Sequence, residues 1–249
     1  MSPSLAPPFS LSVLVPVYDE LGAEILASLT QVQNIHRWMA ATLLPHVGDQ
    51  VLEIGAGLGN LTLQFLPRRR YVATDIDPRY LDYLEGLARG RPGLEVARAD
   101  LGVPADFEPL AGQFDTVLCL NVLEHVDDEA LALASIHGAL APGGKAIVLV
   151  PQGPWLFGSL DHALAHRRRY TRAGLEAAVR AAGLEVAETL EFNKVGVLGW
   201  AGNGLLLGRE RFSRLQLKAL NSAIPLIQGL DRRAPWPGLS LVVVARKPG

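Results

Sequence analysis

The sequence predicts an α/β fold, a doubly wound and mostly parallel sheet with helices on both faces. Three observations predict it. Short apolar runs alternate with helical patterns from about residue 50 to residue 190, the pattern that right-handed βαβ crossovers leave in a sequence. Val51–Ile54, Thr116–Leu120 and Ala146–Val150 are nearly continuous apolar runs, as parallel strands covered on both faces require. A glycine-rich turn links the first of these runs to a helix start.

Taken in order, the strands are expected at Gln50–Ile54, Tyr71–Thr74, Leu94–Arg98, Asp115–Leu120, Lys145–Val150 and Glu185–Glu191. Helices are expected between them at Pro78–Ala88, Asp128–Leu140 and Arg172–Ala182. Thr171 suits the start of the last helix as a cap, and Gly183 suits its end in a left-handed conformation. Leu21 to Pro45 reads as a helix or helix pair, and Asn193 to Leu230 as a largely helical insertion before a final strand at Leu239–Ala245. No repeat or low-complexity linker divides the chain. One domain is therefore expected over residues 1–249. It comprises leader and lid helices (1–48), a ligand-binding core (49–192), the insertion (193–238) and the last strand (239–249).

Apolar residues make up 49% of the 249 residues and charged residues 19%, which is enough for a substantial core and argues against disorder. A net charge of −2 gives no reason to expect a nucleic-acid partner. The single cysteine, Cys119, rules out an intramolecular disulfide and suits a cytoplasmic setting. Met1 to Phe9 does not read as a signal peptide, and the uncharged stretch Val195 to Gly208 is short of the roughly 20 residues that span a bilayer.

The most informative segment is Val51-Leu52-Glu53-Ile54-Gly55-Ala56-Gly57-Leu58-Gly59-Asn60. Glycines at such a turn let the backbone bend sharply and let a ligand approach without meeting a Cβ. Twenty positions after Gly55 stands Asp75, at the end of the second strand. A carboxylate there can accept hydrogen bonds from the hydroxyls of an adenosine ribose. The dinucleotide fingerprint wants a third glycine where Asn60 stands.

The GxGxG spacing, with Glu53 two residues ahead, instead resembles the first motif of class I methyltransferases that use S-adenosylmethionine. Ala99-Asp100-Leu101 resembles the family's adenine contact. Phe114 to Val126, ending in Leu123-Glu124-His125-Val126, resembles the fourth-strand motif of quinone-type and other small-molecule methyltransferases. Leu140-Ala141-Pro142-Gly143-Gly144-Lys145 resembles the turn into the fifth strand. This resemblance covers residues 51 to 151 and implies a Rossmann-like sheet of order 3-2-1-4-5-7-6. It implies S-adenosyl-L-methionine as cofactor, with Gly55, Ala56, Gly57 and Gly59 beneath its methionine part and Glu53 organising the amino group. Asp75 would hold the ribose, Ile76 would pack on the adenine with Leu101 beside it, and Asp100 would accept from the exocyclic amine. Asn121 would lie beside the transferring methyl.

On the acceptor side the candidates are His125, after the fourth strand, and His162, His166 and Tyr170 in a loop that resembles the "HxRRY" segment of some bacterial methyltransferases. An arginine of Arg167 to Arg169 is a candidate partner for an anionic group. Acidic and histidine residues show no metal-ligand spacing, so no metal is expected. The lid segment carries Asn34, His36 and Trp38 as further residues of interest. The apolar insertion suits a small or lipid-like acceptor, a membrane-surface contact through 195–208, or a dimer interface; the oligomeric state stays open.

Ser12 to Glu20 resembles the opening strand of family 2 glycosyltransferases, but the space before residue 50 does not hold a sugar-nucleotide half. A nicotinamide-dependent oxidoreductase and a non-catalytic binder of an adenosine ligand are the alternative readings. Asn60 and the Pro142–Gly144 turn argue against the first. The intact glycines and acids argue against the second.

Overall fold

The computed structural model describes residues 32–208, 213–231 and 233–249. Seven strands form one sheet in the order β3-β2-β1-β4-β5-β7-β6. They are β1 (Gln50–Ile54), β2 (Arg70–Asp75), β3 (Leu94–Arg98), β4 (Phe114–Leu120), β5 (Leu140–Pro151), β6 (Glu185–Phe192) and β7 (Ser240–Arg246). The first five run parallel, while β7 lies antiparallel between β5 and β6. This is the fold and strand order expected from the motifs.

Strand alternation divides the core between the two sheet faces. Leu52, Val72, Val117, Cys119 and Val148 pack on one side against α4 (Glu129–Ala139) and, past the short α5 (Ser159–Ala163), against α6 (Arg172–Ala181). Val51, Tyr71, Leu118, Ile147 and Val242 pack on the other against α1 (Gln33–Leu43), α2 (Thr62–Phe65) and α3 (Pro78–Ala88). Caps follow the sequence: the side chains of Asp77, Asp128 and Thr171 accept the orphan amides of Arg79, Leu131 and Gly174.

The fifth strand begins earlier than expected, at Leu140 instead of Lys145. The Pro142–Gly144 segment does not leave the sheet. Gly143 takes a φ of +76°, and a bulge joins the Phe114↔Leu140 pair to the Thr116↔Lys145 pair. Of the expected N-terminal helical segment, α1 is described. Residues 1–31, including the glycosyltransferase-like stretch, lie outside the described residues.

The insertion between β6 and β7 is helical, with a short α7 (Gly196–Trp200), a π turn over Ala201–Leu206 and α8 (Arg214–Asp231). It docks on α1 through Asn34, whose backbone and side-chain amides donate to Asn221 at 2.8 Å each. Trp38 packs on Phe192, ring centroids 4.5 Å apart. Asn34 and Trp38 thus tie α1 to the sheet edge and the insertion.

Candidate active site

The carboxyl ends of β1, β2, β3 and β4 bring the cofactor candidates to one end of the sheet, where open α/β folds bind ligands. Gly55, Gly57 and Gly59 all take positive φ, +70°, +55° and +69°. The three glycines answer different needs. A Cβ on Gly55 would meet Val122 at 2.5 Å and one on Gly59 would meet Leu87 at 2.7 Å, so these two glycines serve packing. A Cβ on Gly57 would meet nothing within 4 Å. Gly57 therefore faces open space, which leaves a cradle for a ligand.

Asp75 stands beside that cradle. Its Oδ2 accepts the Gly57 amide at 2.9 Å, and its Oδ1 accepts the amides of Ile76 and Asp77 at 2.8 and 3.0 Å. Burial pushes its carboxyl up, against the opposing pull of those amides. A carboxylate offers about four acceptor positions, so three amides leave room for one ribose hydroxyl directly. Ile76 is 39% exposed, large for an apolar side chain, and so presents a bare face at the cleft. Asp100 is half-buried, its Oδ1 accepting the Gly102 amide at 2.8 Å.

Two cofactor candidates lie deeper than the motif suggests. Glu53 is buried beneath the glycine turn, where its Oε2 accepts from the hydroxyls of Thr62 and Tyr71. Burial raises its carboxyl to about 7. Here the side chain braces α2 against β2. Leu101 is 3% exposed and belongs to the core. Asn121, with φ +56°, is exposed at the end of β4, and its amide donates to Leu149 O at 2.8 Å.

The acceptor-side candidates separate. His125 and His166 come together, ring centroids 5.0 Å apart in an edge arrangement. His125 Nδ1 lies 3.3 Å from Ala165 O, and burial lowers its ring to about 4, so it is neutral at pH 7. His166 Nδ1 lies 2.9 Å from Asp161 Oδ1. His162 is exposed and stands edge-on to Phe157 at 5.0 Å, away from the pair. Tyr170 is drawn into the core instead of the cleft. Its hydroxyl reaches Glu129 Oε2 at 3.0 Å and Leu123 O at 3.4 Å, which corrects the expectation that it faces an acceptor.

The arginines also bind within the protein, Arg169 from a buried position and Arg167 and Arg168 from the surface. Arg167 donates to His125 O at 2.7 Å, and Arg168 to Val126 O at 2.9 Å. Arg169 is buried, donating to Asp161 Oδ1 at 2.7 Å and to Gln152 O at 2.9 Å, with its guanidinium 4.7 Å above the Trp200 ring. The loop is thereby clamped over the end of β4.

Sequence reasoning missed two residues of this region. Asp161 fixes His166 and Arg169 together, and Glu124, fully buried, lies with its Oε1 3.9 Å from His166 Nε2. The expectation that no acidic and histidine ligands cluster is corrected, because Glu124, His125 and His166 offer ligand atoms all within 4.8 Å of one another. The signal was split between two segments some forty positions apart, which spacing cannot register.

Comparison with known proteins places this geometry in context. Residues 52–146 match the model of the methyltransferase domain family. The ubiquinone biosynthesis O-methyltransferase of Pseudomonas aeruginosa is 33% identical over 113 residues, 41% of this chain and 44% of that protein. The chain thus spans less than half the length of this relative. A Haloferax volcanii protein solved in complex with the Trm112 methyltransferase activator superposes with a TM-score of 0.65 at 18% identity, over 94% of this chain and 100% of that one. An S-adenosylmethionine-dependent methyltransferase from Mesorhizobium loti superposes with a TM-score of 0.57 at 18% identity, over 85% of this chain and 98% of that one. At these identities the structural likeness is one of fold.

Proposed function

We propose that this chain, whose residues 52–146 match the methyltransferase domain family, is a class I methyltransferase that transfers a methyl group from S-adenosylmethionine to a small or lipid-like acceptor. The observation that carries the reading is the open cradle over Gly57 with Asp75 beside it. Gly55, Ala56, Gly57 and Gly59 would shape the floor, Asp75 would bind the ribose, and Ile76 and Asp100 would frame the adenine. Glu53 acts from below, holding the turn through Thr62 and Tyr71.

When bound, the cofactor supplies an electrophilic methyl on a sulfonium. The protein's part is to hold donor and acceptor in line, and such positioning offsets roughly 7–11 kcal/mol of barrier. Asn121, exposed where β4 ends, would lie beside the reacting methyl. His125 and His166 contact the acceptor in this reading, while His162 contributes at the exposed rim. Tyr170 supports them by anchoring the loop to Leu123 and Glu129.

A lipid-like acceptor presented at an anionic membrane surface is favoured by the outer face of α8. Its exposed positions are Leu215, Lys218, Ala219, Ser222, Pro225, Leu226, Gly229 and Leu230. An apolar stripe facing solvent is unusual for a helix whose other face already packs on α1. Leu198 and Leu207 extend the apolar surface through 195–208. Between residues 194 and 233 there are seven basic residues and two acidic ones, in a chain whose net charge is −2. That combination suits an interfacial helix on anionic lipid. The matched relative's name, with its O-methylation in ubiquinone biosynthesis, supports a quinone-type or similar acceptor.

Calorimetric titration with S-adenosylmethionine and with NADH tests the cofactor. The expected result is micromolar binding of the first alone, weakened about tenfold or more in Asp75→Asn. Binding of NADH, or of neither by folded protein, overturns the reading.

A further inference from the structure

Glu124 poses a problem that its neighbours do not solve. It is fully buried, and neither carboxylate oxygen has a side-chain hydrogen-bond partner. Buried carboxylates are ordinarily paired, hydrogen-bonded or bound to a metal. The cation whose field reaches it, Arg169, is already committed to Asp161, Gln152 and the Trp200 face. Two carboxyl groups thus share one guanidinium in a buried pocket, and burial pushes that of Glu124 up to about 8.

The two histidines facing Glu124 are held as metal ligands are held. His166 turns Nδ1 to the Asp161 carboxylate at 2.9 Å and carries Nε2 toward Glu124. That is the carboxylate–histidine arrangement that fixes the ring and its tautomer behind a metal ion. His125 turns Nδ1 to a backbone carbonyl, that of Ala165, the other common supporting partner. One ligand atom from each of Glu124, His125 and His166 falls within 4.8 Å of the others. A separation of 3.9 Å between His166 Nε2 and Glu124 Oε1 is too long for a hydrogen bond. Two atoms that ligate one ion at about 2.0–2.2 Å lie no more than about 4.4 Å apart, so this pair is within reach and the cluster as a whole draws in by a few tenths of an ångström to bind.

We propose that Glu124, His125 and His166 form a site for a divalent transition-metal ion, with Asp161 and the Ala165 carbonyl as its supporting shell. Two imidazoles and one carboxylate suit zinc, iron or cobalt better than magnesium or calcium, which favour all-oxygen sites. The site does not depend on the methyl-transfer reading, and cofactor binding is read separately so that each can fail alone.

The test uses the full chain, freed of metal with a chelator, titrated with Zn2+ by calorimetry and with Co2+ by visible absorption. One ion per chain is expected, with the d–d bands of a cobalt ion in nitrogen and oxygen ligation. Glu124→Gln and His166→Asn should each abolish those bands. Asp161→Asn should weaken affinity by about 10–100-fold. His46→Gln, at the surface beside Glu188, should change nothing. Melting curves of each variant check folding, and His125→Asn, which leaves the Asp161–Arg169 pair intact, decides if Glu124→Gln does not fold. Absence of stoichiometric binding, or unchanged binding in the folded Glu124 or His125 variant, overturns the proposal.

Discussion

Glu53 shows how one side chain sets a dependence on pH. Burial lifts its carboxyl to about 7 from an ordinary 4.5, so the folded state holds a proton that the unfolded chain releases earlier. The stabilisation from that proton is fully present below about 4.5 and is lost as pH rises through about 7. Its size is on the order of 3 kcal/mol. Glu53→Gln keeps an acceptor for Thr62 and Tyr71, so the expected outcome is a flatter fall in melting temperature between pH 5 and pH 8. An unchanged slope in thermal scans would show that Glu53 does not titrate in this range. At this scale the sequence was legible where backbone geometry dictates the residue. The positive φ of Gly55, Gly57 and Gly59 is the reason glycine stands there. It was illegible for Glu124 and Asp161, whose roles depend on which segments the fold brings against them.

Elements were legible in proportion to how local their causes are. β3 at Leu94–Arg98 and α3 at Pro78–Ala88 match their sequence bounds, because a capping Asp77 and Pro78 fix the start of the helix. The start of β5 did not follow, since the bulge at Gly143 depends on pairing with β4. In α8 the helix itself was expected, while its buried face, with Leu217 and Ile224, was not read from the sequence. Its apolar outer stripe became visible once α1 was seen to cover the opposite side. Membrane contact belongs to this scale. Wild-type protein should co-sediment with vesicles containing phosphatidylglycerol and less with pure phosphatidylcholine, and salt should weaken it. Leu215 and Leu226 are 78% and 72% exposed. Replacing both by Asp should abolish sedimentation while shifting the melting temperature by no more than about 2 °C. Loss of vesicle binding only together with loss of folding would count against the surface.

For the whole molecule, strand order decides what meets what. With β1 flanked by β2 and β4, the glycine turn, Asp75 and Asn121 must share one end of the sheet. That much followed from the order of the motifs. The closure of the 159–170 loop over β4 did not, because Arg167 and Arg168 bind backbone carbonyls, which no residue pattern announces.

The pairing of Phe192 with Ser240 has an evolutionary consequence. The insertion leaves the sheet and re-enters it on adjacent strands, closed at its neck by the Leu239 amide on Asn193 O at 3.2 Å. Such a segment is a cassette: its length bears little on sheet closure, since halving a flexible loop changes its closure cost by only about 0.6 kcal/mol. Exchanging residues 194–237 for a short turn should leave a folded core that still binds S-adenosylmethionine in calorimetry but no longer sediments with vesicles. The same donor chemistry can then be carried to new acceptors by trading one surface lobe, which takes Trp200 away from Arg169 on the acceptor side and leaves the glycine turn and Asp75 as they were.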